Sequence, residues 1–147
     1  MVTEVKYNSK IYAIILSFNH LSKGIEFFTP DDFSLQLGYM NWPEKHEIPP
    51  HVHKPLSREI FYTKEVLFIK SGKVRVDFYS DDKKYFGSKI LKKGDFILLA
   101  FGGHGFKMLE ASEIIEVKQG PYLNEKDKER FEGIDSKKVI YLKDSSD

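Results

Sequence analysis

Residues 65–78 read Glu65-Val66-Leu67-Phe68-Ile69-Lys70-Ser71-Gly72-Lys73-Val74-Arg75-Val76-Asp77-Phe78. The second half alternates polar and apolar with period two, the pattern of a strand with one buried face, and the first half is a short apolar run of strand length. Between them Lys70-Ser71-Gly72-Lys73 holds the glycine that a tight turn needs for positive φ, which predicts that 65–69 and 73–78 pair as an antiparallel hairpin. Along the first strand Glu65, Leu67 and Ile69 share a face and Val66, Phe68 and Lys70 share the other. If the Leu67 face is the interior, Glu65 points inward, where a carboxylate needs a cation, a hydrogen-bond donor or a metal.

Outward from this stretch, further strands are predicted at Ile11–Phe18, Gly24–Phe28, Phe33–Met40, Tyr85–Leu91, Asp95–Phe101, His104–Leu109 and Glu113–Lys118. Turn signals separate them, such as Pro30-Asp31-Asp32, Ser80-Asp81-Asp82 and Lys93-Gly94-Asp95. Many short, closely spaced strands make an all-β sandwich or barrel. Near the C-terminus Asn124 can cap a short helical segment running Glu125–Phe131 with Gly133 beyond its end, and a charged solvated turn is the alternative. Lys143–Asp147 reads as a frayed polar tail.

The chain has 147 residues, the size of one ordinary domain, and no repeat or linker divides it. Hydrophobic residues are 41% and charged residues 31%, with 12 Phe and 8 Tyr, which excludes disordered and collagen-like classes. Lys plus Arg is 23 against 22 for Asp plus Glu, so the totals give no reason to expect a nucleic acid or an anionic membrane as partner. The absence of cysteine removes disulfides, Cys-ligated zinc, iron–sulfur clusters and thiol nucleophiles, and leaves His and carboxylate as metal ligands. Met1–Lys10 carries Glu4, Lys6 and Lys10 and lacks the apolar core of a signal peptide, which with the short apolar runs predicts a cytoplasmic protein.

Three of the five histidines lie in Lys45-His46-Glu47-Ile48-Pro49-Pro50-His51-Val52-His53. His51 and His53 are two apart, so an extended chain projects both imidazoles from one face, where they can chelate; a solvated, Pro-flanked loop is the alternative. Further on, Gly94-Asp95 launches an apolar strand and Gly102-Gly103-His104-Gly105 presents a histidine with no bulky sequence neighbour. Such glycines permit close approach of another group. In Glu113–Tyr122 alternation places Glu116 and Lys118 on one side and Ile115 and Val117 on the other, and the charged side is read as the solvated one. Arg58 is read as a surface residue as well.

Taken together, His51-Val52-His53, Glu65 followed by Gly72 at the family's spacing, Gly94-Asp95 and His104 resemble, in order, the two motifs of the cupin superfamily. The resemblance covers about Ile48 to Lys118. It implies a double-stranded β-helix, the cupin jelly-roll barrel, with a barrel core of about 33–120, N-terminal strands over 11–28 and a C-terminal extension over 121–147, all in a single domain. It implies His51, His53, Glu65 and His104 as ligands of one divalent transition metal ion (Fe, Mn, Ni, Co, Cu or Zn); three imidazoles and one carboxylate do not suit Ca²⁺ or Mg²⁺. The stretch from His53 to Glu65 is longer than the family's usual spacing, which leaves Glu59 as an alternative carboxylate. A substrate oxygen, water or dioxygen could then bind at the open positions of the ion.

The expected function is a metal-dependent enzyme acting on a small polar metabolite, with His46, Glu47, Glu59 and Tyr62 as candidate general acids or bases. The alternative is a metal-free or non-catalytic cupin that binds a carbohydrate or sugar nucleotide, or acts as an isomerase or epimerase, with a histidine as base. The resemblance and the apolar runs Ile11–Phe18 and Phe33–Met40 together suggest a homodimer.

Overall fold

Period-two alternation is converted into strands along most of the chain. The computed structural model describes residues Met1 to Asp144, apart from the side chains of Asn124 and Glu125. The expected cap by Asn124 and the tail from Ser145 onward therefore lie outside the described residues. Ten strands follow in order: β1 Val2–Tyr7, β2 Lys10–Leu16, β3 Gly24–Phe27, β4 Gly38–Asn41, β5 Glu65–Ser71, β6 Lys73–Tyr79, β7 Tyr85–Lys92, β8 Phe96–Leu99, β9 Gly103–Met108 and β10 Glu113–Lys118. Strand makes up 42% of the chain and helix 4%, so the protein is nearly all-β, as its sequence predicts. The strands form three antiparallel sheets, in the orders β1-β2-β8-β5-β10, β7-β6-β9 and β3-β4, and among the described residues none closes on itself into a hydrogen-bonded barrel.

The hairpin predicted over 65–78 does not form. β5 pairs with β8 and β10, whereas β6 pairs with β7 and β9 in another sheet. A tight hairpin needs two turn residues, and Gly72 alone separates β5 from β6. Gly72 has φ +83°, and a Cβ built there would stand 2.2 Å from the Ala111 carbonyl oxygen and 2.3 Å from Ser112 Oγ. This glycine is needed because the chain crosses from one sheet to the other at a corner pressed against residues 111–112. Ser112 Oγ accepts the Lys73 N–H at 3.1 Å and holds that corner.

Three other readings shift. β1 was not predicted; it pairs with β2 across a turn in which Asn8 (φ 49°) and Ser9 (φ 64°) are both left-handed, the conformation that matches strand twist in a two-residue hairpin. The strand expected over Phe33–Met40 begins only at Gly38, because Gln36 Nε2 donates to the carbonyls of Pro30 and Phe33, both at 2.9 Å, and ties residues 30–36 into a turn. The helix expected over Glu125–Phe131 is reduced to a 3-10 turn at Asn124–Asp127. So short a run is marginal in water without an apolar face to dock.

By contact the chain separates into two compact units, Leu21–Phe61 and the remainder. In the larger unit the five- and three-stranded sheets face each other over one core: Val5, Ala13, Ile15, Leu67, Ile69, Ile97 and Leu99 from one, Val74, Val76, Phe78 and Leu91 from the other. On the far face of β6, Arg75 Nε and Nη2 donate to both carboxylate oxygens of Asp77 at 2.8 and 2.9 Å, and the pair is buried. Asp77 raises the Arg75 pKa against the desolvation that burial imposes. Ser88 Oγ donates to Asp77 at 2.5 Å and meets Tyr85 Oη at 2.7 Å.

The C-terminal segment closes over this network. Tyr79 Oη accepts the Ile134 N–H at 2.8 Å, and Tyr85 Oη accepts the Ile140 N–H at 2.9 Å. Ser88 N–H donates to Ile140 O and Leu142 N–H to Ser88 O, so the segment runs parallel to the edge of β7. The Asp144 carboxylate caps it, 2.6 Å from the nearly buried Lys89 ammonium.

The Leu21–Phe61 unit contains the β3–β4 hairpin, with Ile25 opposite Met40 and Phe27 opposite Gly38. Its described buried residues are Thr29 and Leu37, and residues 42–61 contain neither helix nor strand.

Candidate functional site

Glu65 opens β5 on the same inward face as Leu67 and Ile69, as its spacing predicts, and is 7% exposed. Its partner comes from the other sheet. His104 lies on β9 opposite Phe78 and therefore faces the interior of the sandwich. His104 Nε2 stands 3.1 Å from Glu65 Oε2, so the two side chains bridge the sheets. The hydrogen bond with His104 holds the Glu65 carboxyl below its usual range, outweighing burial, with smaller help from Lys118 and Lys128.

Lys118 is directly opposite Glu65 on β10. Desolvation works against its ammonium, but Glu116, Glu65 and Asp127 outweigh that and raise its pKa. The alternation read over Glu113–Tyr122 is correct, and Ile115 and Val117 are the side left in solvent, whereas Lys118 faces Glu65. Register between β5 and β10 decides this, and register over that separation has no local signal.

The glycines around His104 do allow close approach, though not of a ligand. Gly102 has φ +68° and lies against the Tyr79 carbonyl and the Tyr12 ring, while a Cβ on Gly103 would stand 2.8 Å from Phe131. The glycine pair thus admits Phe131, whose ring packs edge-on against Tyr79 at 5.0 Å, and the imidazole is turned inward beside Phe106, with ring centroids 5.3 Å apart.

His51 and His53 belong to the Leu21–Phe61 unit and are exposed. Their rings are side by side, 5.2 Å apart and nearly perpendicular, and His51 Nδ1 lies 3.1 Å from Pro49 O. His46 stacks on Trp42 at 4.1 Å. Glu59 and Arg58 are exposed in the same unit. The structure thus assembles the expected residues as two pairs, Glu65–His104 in the larger unit and His51–His53 in the smaller. Among the described residues no three His, Asp or Glu side chains form a metal-sized cluster. Imidazole nitrogen and carboxylate oxygen are nevertheless donors that suit a divalent transition ion.

Two surface clefts lie elsewhere, along β1 and β7, with Lys89 and Asp144 in both; neither is lined by Glu65 or His104. Among the described residues no helix is long and apolar enough to cross a membrane. Compared with known proteins, the chain matches no family model, no curated protein and no solved structure.

Proposed function

We propose that the protein is a cupin-like, metal-binding protein acting on a small polar metabolite, with Glu65 and His104 at the centre of its site. The observation that carries this reading is their 3.1 Å approach from opposing sheets, which brings a carboxylate and an imidazole to one point inside a β-sandwich. Five strands facing three, with both residues directed inward, support a double-stranded β-helix as the finer description.

In this reading Glu65 and His104 are ligands of one divalent transition ion, Fe, Mn, Ni, Co, Cu or Zn. Bound there, such an ion supplies Lewis-acid or redox chemistry at a ligand oxygen. Lys118 and the hydrogen bond with His104 keep Glu65 ionised, so its oxygens are available as donors. The buried Leu67 and Ile69 beside Glu65 restrict water on one side of the pair.

The same 3.1 Å hydrogen bond favours a second reading, a metal-free site in which Glu65 orients the His104 imidazole as a base for carbohydrate or sugar-nucleotide isomerisation or epimerisation. Elemental analysis of chain purified without chelator or His tag separates the two. About one equivalent of metal per chain, lost in His104→Ala and retained in His20→Ala, is the expected result. Folded, metal-free wild type that binds a sugar nucleotide would favour the second reading.

A further inference from the structure

On the inward face of β7 stand Gly87, Lys89 and Leu91, paired with Phe78, Val76 and Val74 of β6. Leu91 and all three partners are core residues, and Lys89 breaks that apolar row with a side chain only 10% exposed. Burying an ammonium where packing favours an apolar side chain opposes folding, and such local conflicts concentrate at functional positions.

The partner of this cation is a single carboxylate oxygen. Leu142 packs over Gly87, where a Cβ would stand 2.4 Å from its Cδ2, and the segment runs parallel to β7. Two residues further along each chain, Asp144 therefore meets Lys89, and Asp144 Oδ1 accepts from Lys89 Nζ at 2.6 Å. The buried Arg75–Asp77 pair is built differently: two hydrogen bonds lock it, and its side chains are 6% and 8% exposed. In the Lys89 pair the cation is buried while the carboxylate is 65% exposed. A carboxylate held by one bond and open to solvent can give way to another from solution while Leu142 stays in place.

The surroundings suit an anion. Lys89 and Asp144 both line two clefts, of about 320 and 330 Å³, the size of small-molecule sites. Lys92 and Lys93 line the larger cleft and Lys143 the smaller. The other acids lining them are engaged: Asp95 accepts the Phe18 and Lys92 N–H groups at 3.0 and 2.8 Å, and Glu4 pairs with Lys6.

We propose that Lys89 anchors a binding site for a small dicarboxylate, which Asp144 fills from within the chain. One carboxylate of the ligand replaces that of Asp144 on Lys89, and the second lies toward Lys92 and Lys93. The site is separate from Glu65 and His104 and does not depend on the metal-binding reading.

NMR titration of the full chain with succinate tests this. A site that its own tail covers nine-tenths of the time binds about tenfold more weakly than the open site. Asp144→Asn, which removes the internal competitor, should therefore bind succinate about tenfold more tightly than wild type, with shifts centred on the Lys89 and Ile90 amides. Glu4→Gln removes an equal charge from the same surroundings without removing a competitor, and should change the affinity less than about threefold. Lys89→Met, which keeps the length of the stem, should remain folded and bind no succinate, and the neutral succinamide should bind none of these proteins. Equal affinity in Asp144→Asn and wild type overturns the proposal, as does a tenfold gain in Glu4→Gln or binding retained by Lys89→Met. If Lys89→Met does not fold, the comparison of Asp144→Asn with Glu4→Gln decides alone, and no binding to Asp144→Asn overturns the site outright.

Discussion

The larger unit and the Leu21–Phe61 unit draw on similar apolar side chains and use them in opposite ways. In the first, Phe78, Ile69, Val74 and Val76 are enclosed between two sheets, each contributing about 1.5–3 kcal/mol of burial. In the second, Ile48, Val52, Leu56 and Phe61 face solvent and contribute almost nothing. Apolar content alone does not make a core; a second layer at the right spacing does.

Substitutions probe this contrast, beginning with the most severe. Asp77→Ala leaves the Arg75 guanidinium buried without its bidentate partner and should cost about 3–5 kcal/mol in chemical denaturation. A loss under about 1 kcal/mol would mean that water reaches this network and that the larger unit is looser than its burial implies. Gly72→Ala, placing a methyl on a left-handed residue against the Ala111 carbonyl, should cost roughly 1–3 kcal/mol, and its Tm measures whether the corner between sheets can yield.

The titration of Glu65 sharpens the comparison. Its carboxyl is depressed in the folded protein, so its contribution to stability is fully present above the unfolded carboxyl value of 4.5 and is lost as pH falls through the folded value. In metal-free protein, Glu65→Gln should flatten the acid limb of the stability curve. An acid limb left unchanged by Glu65→Gln would show that Glu65 is not specially placed. The smallest effect is expected at Val52→Ala, within about 0.5 kcal/mol, because Val52 is 85% exposed. A cost of several kcal/mol there would show that the side chain is packed rather than solvated.

Side-chain alternation made the strands legible, including the inward face of Glu65, because period two depends only on neighbouring residues. The pairing of β5 and β6 was not legible: Gly72 has the composition of a hairpin turn, and what turns it into a corner is the approach of Ala111 and Ser112, some forty residues away. β1 was hidden because Glu4 and Lys6 interrupt its apolar residues, and its partner β2 supplies the burial. At the site, the residue types that form the Glu65–His104 pair could be picked out by motif and spacing. Lys118 was passed over because a charge on an edge strand is ordinarily solvated, and only the β5–β10 register places it opposite Glu65. Gly103 was read correctly as a point of close approach, yet its neighbour, Phe131, follows from how the C-terminal segment returns over β6.

That returning segment also bears on how the protein avoids sticking to itself in ways that do not end. β7 is an edge strand, and its Ser88 N–H and C=O are occupied by Ile140 and Leu142. Uncovered, such a row of amides is a template for open-ended stacking of chains, the first step toward aggregates. Residues 140–142 occupy that edge at Ser88 from within the same molecule, and the Lys89–Asp144 ion pair lies beside them. Proteolytic clipping ahead of Val139 would therefore free the Ser88 amide and carbonyl on an edge strand and remove Leu142 from beside the core, exposing a backbone pair that another chain could take up.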